Sequence, residues 1–460
     1  LIKEPYKAIY LFQAALFSIL GFYLKISLGL VGVFLFFSAI SYAVIRKKVT
    51  IKFYLLTVLS FIIGLFLGAK LLNVDLKGYI SSGLQFIDDY NDSMFTPLGA
   101  GHEIYLYASV FIMVIVAFLA GYRLFVSLLE KKILQNSDEL FVYAVVGISL
   151  FVFFKSGFVR AEGHLHIFFE NASMFIVFLY LYRPVEIGRR ITAIGCWFTL
   201  IISFIGISRM PGNYHPNQRL ADLSFLSNKA GEIKRYFEQV VCYNQAVAIS
   251  DKLDSSDNEL KRIIGSNTAD IIPHEISKIY FNGLRYNPRP VIQSYAAYNR
   301  YLDSLNFQKY ISPDAPDYVL LTVSSIDDRY PFFDESQTKL ALINNYRIIG
   351  ELNDDLILKK KEVIQNVPEA QNAESVNIKF GEDITVKKTD DLQYARFFVE
   401  YSLWGKIRRF FYQPPTLMIT FTLDDGAPPP LKALPPILAD AAIINKYVGN
   451  TLDFQIDRKS

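Results

Sequence analysis

Two groups of ionisable residues border long apolar runs, and they are where this chain could do chemistry. The first is the stretch FVRAEGHLHIFFENASMF (158–175), which contains Arg160, Glu162, His164 and His166. Such groups are costly inside a bilayer. The questions they raise are which side of a membrane they face and what they bind.

The second group lies in a long polar loop, residues 73–103. Within it, the segment LKGYISSGLQFIDDY has apolar residues at helical spacing, which predicts an amphipathic helix lying in the membrane interface. The candidate residues are three acids placed just after that helix and a pair at the start of the next apolar run: Asp88, Asp89, Asp92, His102 and Glu103.

These residue types suit a substrate that carries phosphate on a lipid. Arg160 could pair with phosphate oxygens. An acid of the 88–92 group, or Glu162 as second choice, could act as general base on an acceptor hydroxyl. A divalent ion, Mg²⁺ or Mn²⁺, could bridge carboxylates and phosphate. His102, Glu103, His164 and His166 would then contribute to substrate binding.

Simpler interpretations stay open for the same residues. Interfacial His, Arg and Glu often cap helix ends and anchor them at headgroups, and the three aspartates could belong to a solvated loop. The pair His164 and His166 is also a weak zinc or manganese signal. If their backbone is helical they point to opposite sides, and if it is extended they share one side.

Composition indicates a membrane part joined to a water-soluble part. Of 460 residues, 52% are hydrophobic and 15% aromatic, and the mean hydropathy is +0.25. That value is high for a soluble protein and low for a pure membrane bundle. A net charge of only +3 gives no reason to expect a nucleic-acid partner, and two cysteines cannot form a disulfide framework.

Long apolar runs predict about seven membrane-spanning helices, because each is roughly 18 to 25 residues long and about 20 suffice to cross a bilayer. The runs lie at residues 6–24, 28–46, 51–72, 104–128, 139–159, 164–182 and 190–208.

Basic residues set the predicted orientation. One set of span ends is rich in them, as in Arg46-Lys47-Lys48 and Lys131-Lys132, and the other set has fewer. The positive-inside rule places the first set and the N-terminus in the cytoplasm. The 73–103 loop, the 160–166 group and everything beyond residue 209 would then lie outside.

The predicted fold is therefore a transmembrane helical domain (1–209) followed by two extracytoplasmic parts. Residues 210–365 begin with a polar helical connector (214–245) and then alternate strands such as TADII, RPVIQSY and YRIIGEL with helices, which predicts an α/β domain. Residues 366–460 contain alternating segments such as SVNIKFG and TLMITFTL between turns, which predicts a β-sandwich-like module.

With these features in view, the chain resembles bacterial GT-C-type membrane glycosyltransferases and their uncharacterised relatives. The likeness lies in the layout of the whole chain, and in the stretches GFVRAEGHLHIFF and NPRPVIQSYAAYNRYLDSLN. It implies a polyprenyl-phosphate sugar donor and an outer-loop carboxylate that serves as base or binds metal. The family usually carries this acid in its first outer loop, which here is only a turn near Lys25, so the matching positions are Asp88, Asp89 or Asp92, then Glu162.

The sequence thus predicts a multi-pass protein of a bacterial cytoplasmic membrane that transfers a sugar from a lipid-linked donor to a glycan, lipid or protein acceptor on the outer face. The alternative is a non-catalytic membrane component whose outer domains bind a partner protein or an envelope glycan through the Tyr- and Arg-rich segment 280–300. A transporter is disfavoured because few charges lie at mid-membrane.

Overall fold

The computed structural model of the protein describes residues 8–161, 163–182, 189–208, 258–365, 373–387, 389, 391–424, 426–440 and 442–459. The chain divides into two compact units. One is Leu1–Gln218 with Phe411–Gln413, and the other is Arg219–Phe410 with Pro414–Ser460.

The first unit is helical, and each predicted apolar run forms a helix. The helices are α1 (Ala8–Leu24), α2 (Ile26–Ile45), α3 (Ile51–Leu71), α4 (Leu76–Ser93), α5 (Glu103–Leu129), α6 (Ser137–Val159), α7 (Leu165–Tyr182) and α8 (Arg189–Ser208).

Four of these helices, α2, α3, α5 and α6, are long and apolar enough to cross a membrane. The apolar parts of α1, α7 and α8 are shorter, so four of the about seven predicted spans are candidate spans by length and composition, and seven spans are not confirmed. Only 6% of the apolar window of α3 is buried. So large an exposed apolar surface suits contact with lipid rather than with water.

Aromatic and aliphatic side chains hold the helices together. Helices α1, α2 and α3 share a core in which Phe36 and Phe61 stack with ring centroids 5.3 Å apart. Helices α5, α6 and α7 share a second core that includes the fully buried Ile112, Val146 and Phe168. The helices therefore pack tightly where they meet, whereas their outer faces carry exposed apolar side chains.

The second unit contains a mixed α/β fold, as predicted. Its sheet is built from β1 (Thr268–Ile272), β2 (Arg285–Tyr286), β3 (Tyr318–Leu321), β4 (Tyr346–Leu352) and β5 (Asp355–Lys360). Its helices are α9 (Asn258–Ile264), α10 (Ile276–Phe281), α11 (Arg300–Tyr310) and α12 (Ser336–Asn345). The predicted connector, residues 214–245, lies outside the described residues.

Strand order in this sheet is β2-β1-β3-β5-β4. Strands β2, β1 and β3 run parallel, whereas β5 is antiparallel to both β3 and β4. Asn353 and Asp354 link β4 to β5 with φ of 50° and 65°, the backbone that a tight two-residue hairpin turn requires. The parallel part places the loops after β1 and β3 at one edge of the sheet.

The remaining elements are short. They are β6 (Tyr394–Ala395), α13 (Leu403–Phe411), β7 (Leu417–Ile419), β8 (Leu431–Ala433), α14 (Pro435–Leu438), β9 (Ala442–Ile443) and α15 (Thr451–Lys459). Within the described part of 366–460 they pair only as β6 with β9 and β7 with β8, so the predicted β-sandwich is not confirmed. Val376, Ile378 and Phe380 alternate as in a strand, but they are exposed, and residues 373–380 join no sheet.

Candidate functional site

Helix α4 is the predicted amphipathic helix, and it is fastened at its start. The Asp75 carboxylate accepts hydrogen bonds from the amides of Lys77 (3.2 Å) and Gly78 (2.9 Å), which caps the helix. The Tyr79 hydroxyl donates to the carbonyl of Phe22 in α1 at 2.6 Å. These bonds fix the orientation of a helix whose Ile80 and Leu84 stay exposed.

The three predicted acids lie on the last turns of α4 and not after it, because the helix continues to Ser93. Asp88 is exposed, Asp89 is partly buried and Asp92 is only 2% exposed. Asp88 and Asp92 are four residues apart and so share one face of the helix. Placement on a helix holds these carboxylates in defined positions, as a catalytic base requires.

A backbone bridge brings the end of this segment to the 158–161 segment. The Thr96 amide donates to the carbonyl of Val159 at 2.8 Å, and the Ala161 amide donates to the carbonyl of Thr96 at 3.3 Å. Thr96 thereby pairs with Arg160 in a parallel bridge. The two groups that the sequence singled out are therefore neighbours within one unit, joined three residues beyond the end of α4.

The three predicted histidines lie at or just before the starts of helices α5 and α7. His164 lies in an exposed turn just before α7. His166 is in the first turn of α7 and its Nδ1 contacts the carbonyl of Gly163. His102 precedes α5 and its ring is 5.8 Å from that of Tyr105.

The other two predicted acids of this region contribute less. Glu103 is exposed at the first residue of α5. Glu162, the second choice for general base, lies outside the described residues.

Several residues at the bridge were not singled out from sequence. Lys155 in α6 donates from Nζ to Oδ1 of Asn91 in α4 at 3.0 Å, and it also contacts the carbonyl of Tyr412. Gln413, 3% exposed, donates from Nε2 to the carbonyls of Thr96 (2.9 Å) and Phe158 (2.5 Å). The one local signal for Gln413 is that it follows the aromatic run FFY.

A positive charge acts on the end of α4. Burial raises the pKa of the Tyr90 phenol, and the nearby Arg160 guanidinium partly opposes that rise. Arg160 itself is half-buried. A cation of this kind at the edge of an apolar bundle is suited to pairing with a phosphate or carboxylate.

In the Arg- and Tyr-rich segment of the second unit, Arg289 and Tyr298 are internal, whereas Tyr280, Arg285 and Arg300 are exposed. Arg289 is fully buried and pairs with Asp270 (Nη1 to Oδ2, 3.2 Å) and Glu335 (Nε to Oε1, 3.0 Å). Its remaining donors reach the carbonyls of Ile271 and Pro273 at 2.6 and 2.8 Å. Arg289 therefore stabilises the interior of the domain. The prediction that it contributes to a surface that binds a glycan or phosphate is wrong for this residue, because its guanidinium is buried.

The same segment also departs from the strand predicted for RPVIQSY. The side chain of Asn306 pairs with both backbone groups of Val291, donating to its carbonyl at 2.9 Å and accepting from its amide at 2.7 Å. An amide side chain thus takes the place of a neighbouring strand. Tyr280, 67% exposed, remains at the surface.

Among the described residues, no three His, Cys, Asp or Glu side chains are grouped so that they could hold a metal ion. The chain was compared with protein-family models, curated proteins and solved structures, and none of them matches it.

Proposed function

We propose that the protein is a membrane glycosyltransferase of a bacterial cytoplasmic membrane. In this proposal the seven apolar helices all cross the bilayer, the N-terminus is cytoplasmic, and the α/β and C-terminal parts are extracytoplasmic. The enzyme moves a sugar from a polyprenyl-phosphate donor to a glycan, lipid or protein acceptor on the outer face. The layout-level resemblance to GT-C enzymes motivates this reading.

The observation that supports the proposal most is the pairing of Thr96 with Arg160. It brings the acidic end of an interfacial-type helix next to a half-buried arginine at the end of a membrane span. A lipid-linked donor needs these features together: hydrocarbon for its chain, a cation for its phosphate and a carboxylate for the acceptor.

The chemistry assigns one role to each group. A carboxylate of Asp88, Asp89 or Asp92 takes the proton from the acceptor hydroxyl, whose oxygen attacks the anomeric carbon of the donor sugar. The bond from that carbon to the phosphate oxygen breaks, and the polyprenyl phosphate leaves with the electron pair. Arg160 stabilises the negative charge on the leaving phosphate.

His164, His166, His102 and Glu103 line the approach to the bridge and contact donor or acceptor hydroxyls in this proposal. A Mg²⁺ or Mn²⁺ ion between a carboxylate and the donor phosphate is an optional part of it, and no step above depends on one.

The test is transfer of radiolabelled hexose from polyprenyl-phosphate hexoses to envelope acceptors by the full chain in proteoliposomes. Single variants Asp88→Asn, Asp89→Asn, Asp92→Asn and Arg160→Ala are compared with the parent. Loss of a general base lowers a rate about 10²–10⁴-fold, so we expect one Asp variant and Arg160→Ala to lose transfer almost completely.

The matched controls are Asp383→Asn and Arg300→Ala, both at exposed positions of the second unit, which should retain full transfer. Undiminished transfer by all four site variants would falsify this site. Loss of transfer on EDTA treatment, restored by Mg²⁺ or Mn²⁺, would support a metal, whereas unchanged transfer would remove it from the proposal.

A non-catalytic component that binds a partner protein is the second candidate. The exposed alternating side chains of Val376, Ile378 and Phe380 favour it, because an extended unpaired segment can add to the sheet edge of another protein. Replacing these three residues by Ser should then abolish capture of the partner protein, whereas the site variants Asp88→Asn, Asp89→Asn, Asp92→Asn and Arg160→Ala should leave it unchanged. The opposite pattern favours the enzyme.

A further inference from the structure

Helix α13 has one apolar side whose residues are largely exposed. Leu403, Trp404, Phe410 and Phe411 are 71%, 78%, 62% and 56% exposed, and Ile407 is 38% exposed. No residue of this helix is buried. Exposed apolar residues are normal singly, but a continuous stripe on one helix marks a surface that contacts something apolar.

The spacing of residues along α13 separates an apolar side from a basic side. At 3.6 residues per turn, the five apolar residues fall within one third of the helix circumference. The other side carries the cations Lys406, Arg408 and Arg409. Arg409 also lies over the ring of Tyr401, with the guanidinium carbon 5.8 Å from its centroid. A basic face beside a Trp- and Phe-rich face is typical of helices that lie in a membrane interface.

The residues that end α13 and follow it indicate that this apolar side contacts lipid. The last residue of α13, Phe411, belongs to the helical unit, where its ring is 6.0 Å from that of Phe151 in α6. The next residue, Tyr412, packs 6.3 Å from Phe154 and Phe158. Gln413 then binds the carbonyls at the end of the same helix, which is one of the four candidate spans. Residues Phe411–Gln413, which end α13 and follow it, therefore pack along the last turns of a candidate span.

Length excludes a further crossing. Nine residues of helix measure about 14 Å at 1.5 Å per residue, whereas the hydrocarbon core is about 30 Å thick. A helix this short and one-sided lies along the surface.

We propose that α13 is a membrane-surface helix that inserts its Leu403–Trp404–Ile407–Phe410–Phe411 side among the lipids and binds anionic phospholipid headgroups through Lys406, Arg408 and Arg409. It anchors residues 403–411 of the chain at the membrane surface. The proposal is independent of any transferase activity.

The test uses the two tryptophans of the chain, Trp197 and Trp404. The full-length Trp197→Phe protein, which keeps Trp404 alone, is reconstituted into vesicles of phosphatidylcholine with phosphatidylglycerol. Part of the lipid is brominated, either near the headgroup end of the acyl chains or near the bilayer centre. We expect blue-shifted Trp404 emission, quenched at least twofold more by the shallow bromines than by the deep ones.

Charge reversal tests the headgroup part. Arg408→Glu with Arg409→Glu should reduce shallow quenching severalfold in phosphatidylglycerol vesicles. The matched control is Lys261→Glu with Arg262→Glu, an exposed basic pair on α9, which should change nothing. If Trp197→Phe fails to fold, the Trp404 signal is obtained as the difference between the parent and Trp404→Phe.

Three outcomes overturn the proposal. Unquenched emission at the wavelength of water-exposed tryptophan would place the helix in solution. Blue-shifted emission without bromine quenching would show that protein, such as a second copy or a partner, covers it. Equal quenching with and without phosphatidylglycerol, unaffected by charge reversal, would exclude recognition of anionic headgroups.

Discussion

The side-chain amide of Gln413 donates a hydrogen bond to the carbonyl oxygen of Thr96 at 2.9 Å, although 317 positions separate the two residues in sequence. The same nitrogen reaches the carbonyls of Phe158 and Val159. A single buried side chain thus closes the backbone junction beside Arg160.

Gln413→Ala should destabilise the helical unit. A buried hydrogen-bonding group left unsatisfied costs about 1–3 kcal/mol, and here several carbonyls lose one donor. Gln413→Glu should cost more, because a carboxylate would face those carbonyls. The measurement is thermal unfolding of the full chain in detergent, with the exposed Gln308→Ala as the neutral control. An unchanged midpoint in Gln413→Ala would mean that the junction holds without this bond.

Arg289→Met should be among the most damaging substitutions in the second unit. It leaves the carboxylates of Asp270 and Glu335 buried without their cation, and breaking a buried pair costs about 3–5 kcal/mol. Adding Asp270→Asn and Glu335→Gln should recover part of that loss. The exposed Arg300→Met serves as control in urea unfolding monitored by circular dichroism. If Arg289→Met unfolds like the parent, the residue is not the brace that its contacts indicate.

Arg123 of α5 and Glu139 of α6 form a buried ion pair in the helical unit, with side chains 7% and 9% exposed. We expect Arg123→Met alone to destabilise strongly and the double variant Arg123→Met with Glu139→Met to be near neutral, because the desolvation of two charges offsets their attraction. Thermal aggregation in detergent measures both. Lys132→Met, at a half-exposed surface pair, is the control. A double variant as unstable as the single one would show that the pair itself is indispensable.

Stability of the second unit should fall as pH rises above about 4, with Asp303 as one cause. Burial raises the pKa of this carboxyl well above its usual range, and the charges of Asp440 and Glu335 raise it further. The folded state therefore holds a proton that the unfolded chain releases near pH 3.9. The stabilisation is complete below that pH and is lost as pH rises through the raised pKa.

Asp303→Asn should flatten this dependence, because an amide does not ionise. It should also lower stability at acid pH, since Asp303 accepts hydrogen bonds from the amides of Gln337 and Thr338 at the start of α12. Urea unfolding of the full chain between pH 4 and 8 measures the slope, with Asp383→Asn as control. Equal slopes in parent and Asp303→Asn would contradict the assignment.

Local patterns in the sequence were enough for the individual elements. Every predicted apolar run is a helix, TADII and YRIIGEL are strands β1 and β4, and the amphipathic segment of the 73–103 loop is α4. Each of these depends on one repeating apolar face, which neighbouring residues report directly.

The predictions that were not confirmed involve distant partners. Val376, Ile378 and Phe380 alternate like a strand but have no strand to pair with among the described residues. RPVIQSY is not a strand, because the side chains of Arg289 and Asn306 hydrogen-bond to its backbone in place of a neighbouring strand. The spacing of apolar residues predicts which face of a strand or helix is apolar, but it does not predict which other element packs against that face.

Local residue patterns were therefore sufficient to predict where apolar helices form, which segment begins the α/β sheet and which ionisable residues border the apolar helices. The pairing of Thr96 with Arg160, the return of Gln413 to that junction and the burial of Arg289 became visible only in the folded chain. The reason is physical: helix and strand patterns arise from neighbouring side chains, whereas a buried polar group is stabilised only by partners that folding brings from elsewhere in the chain.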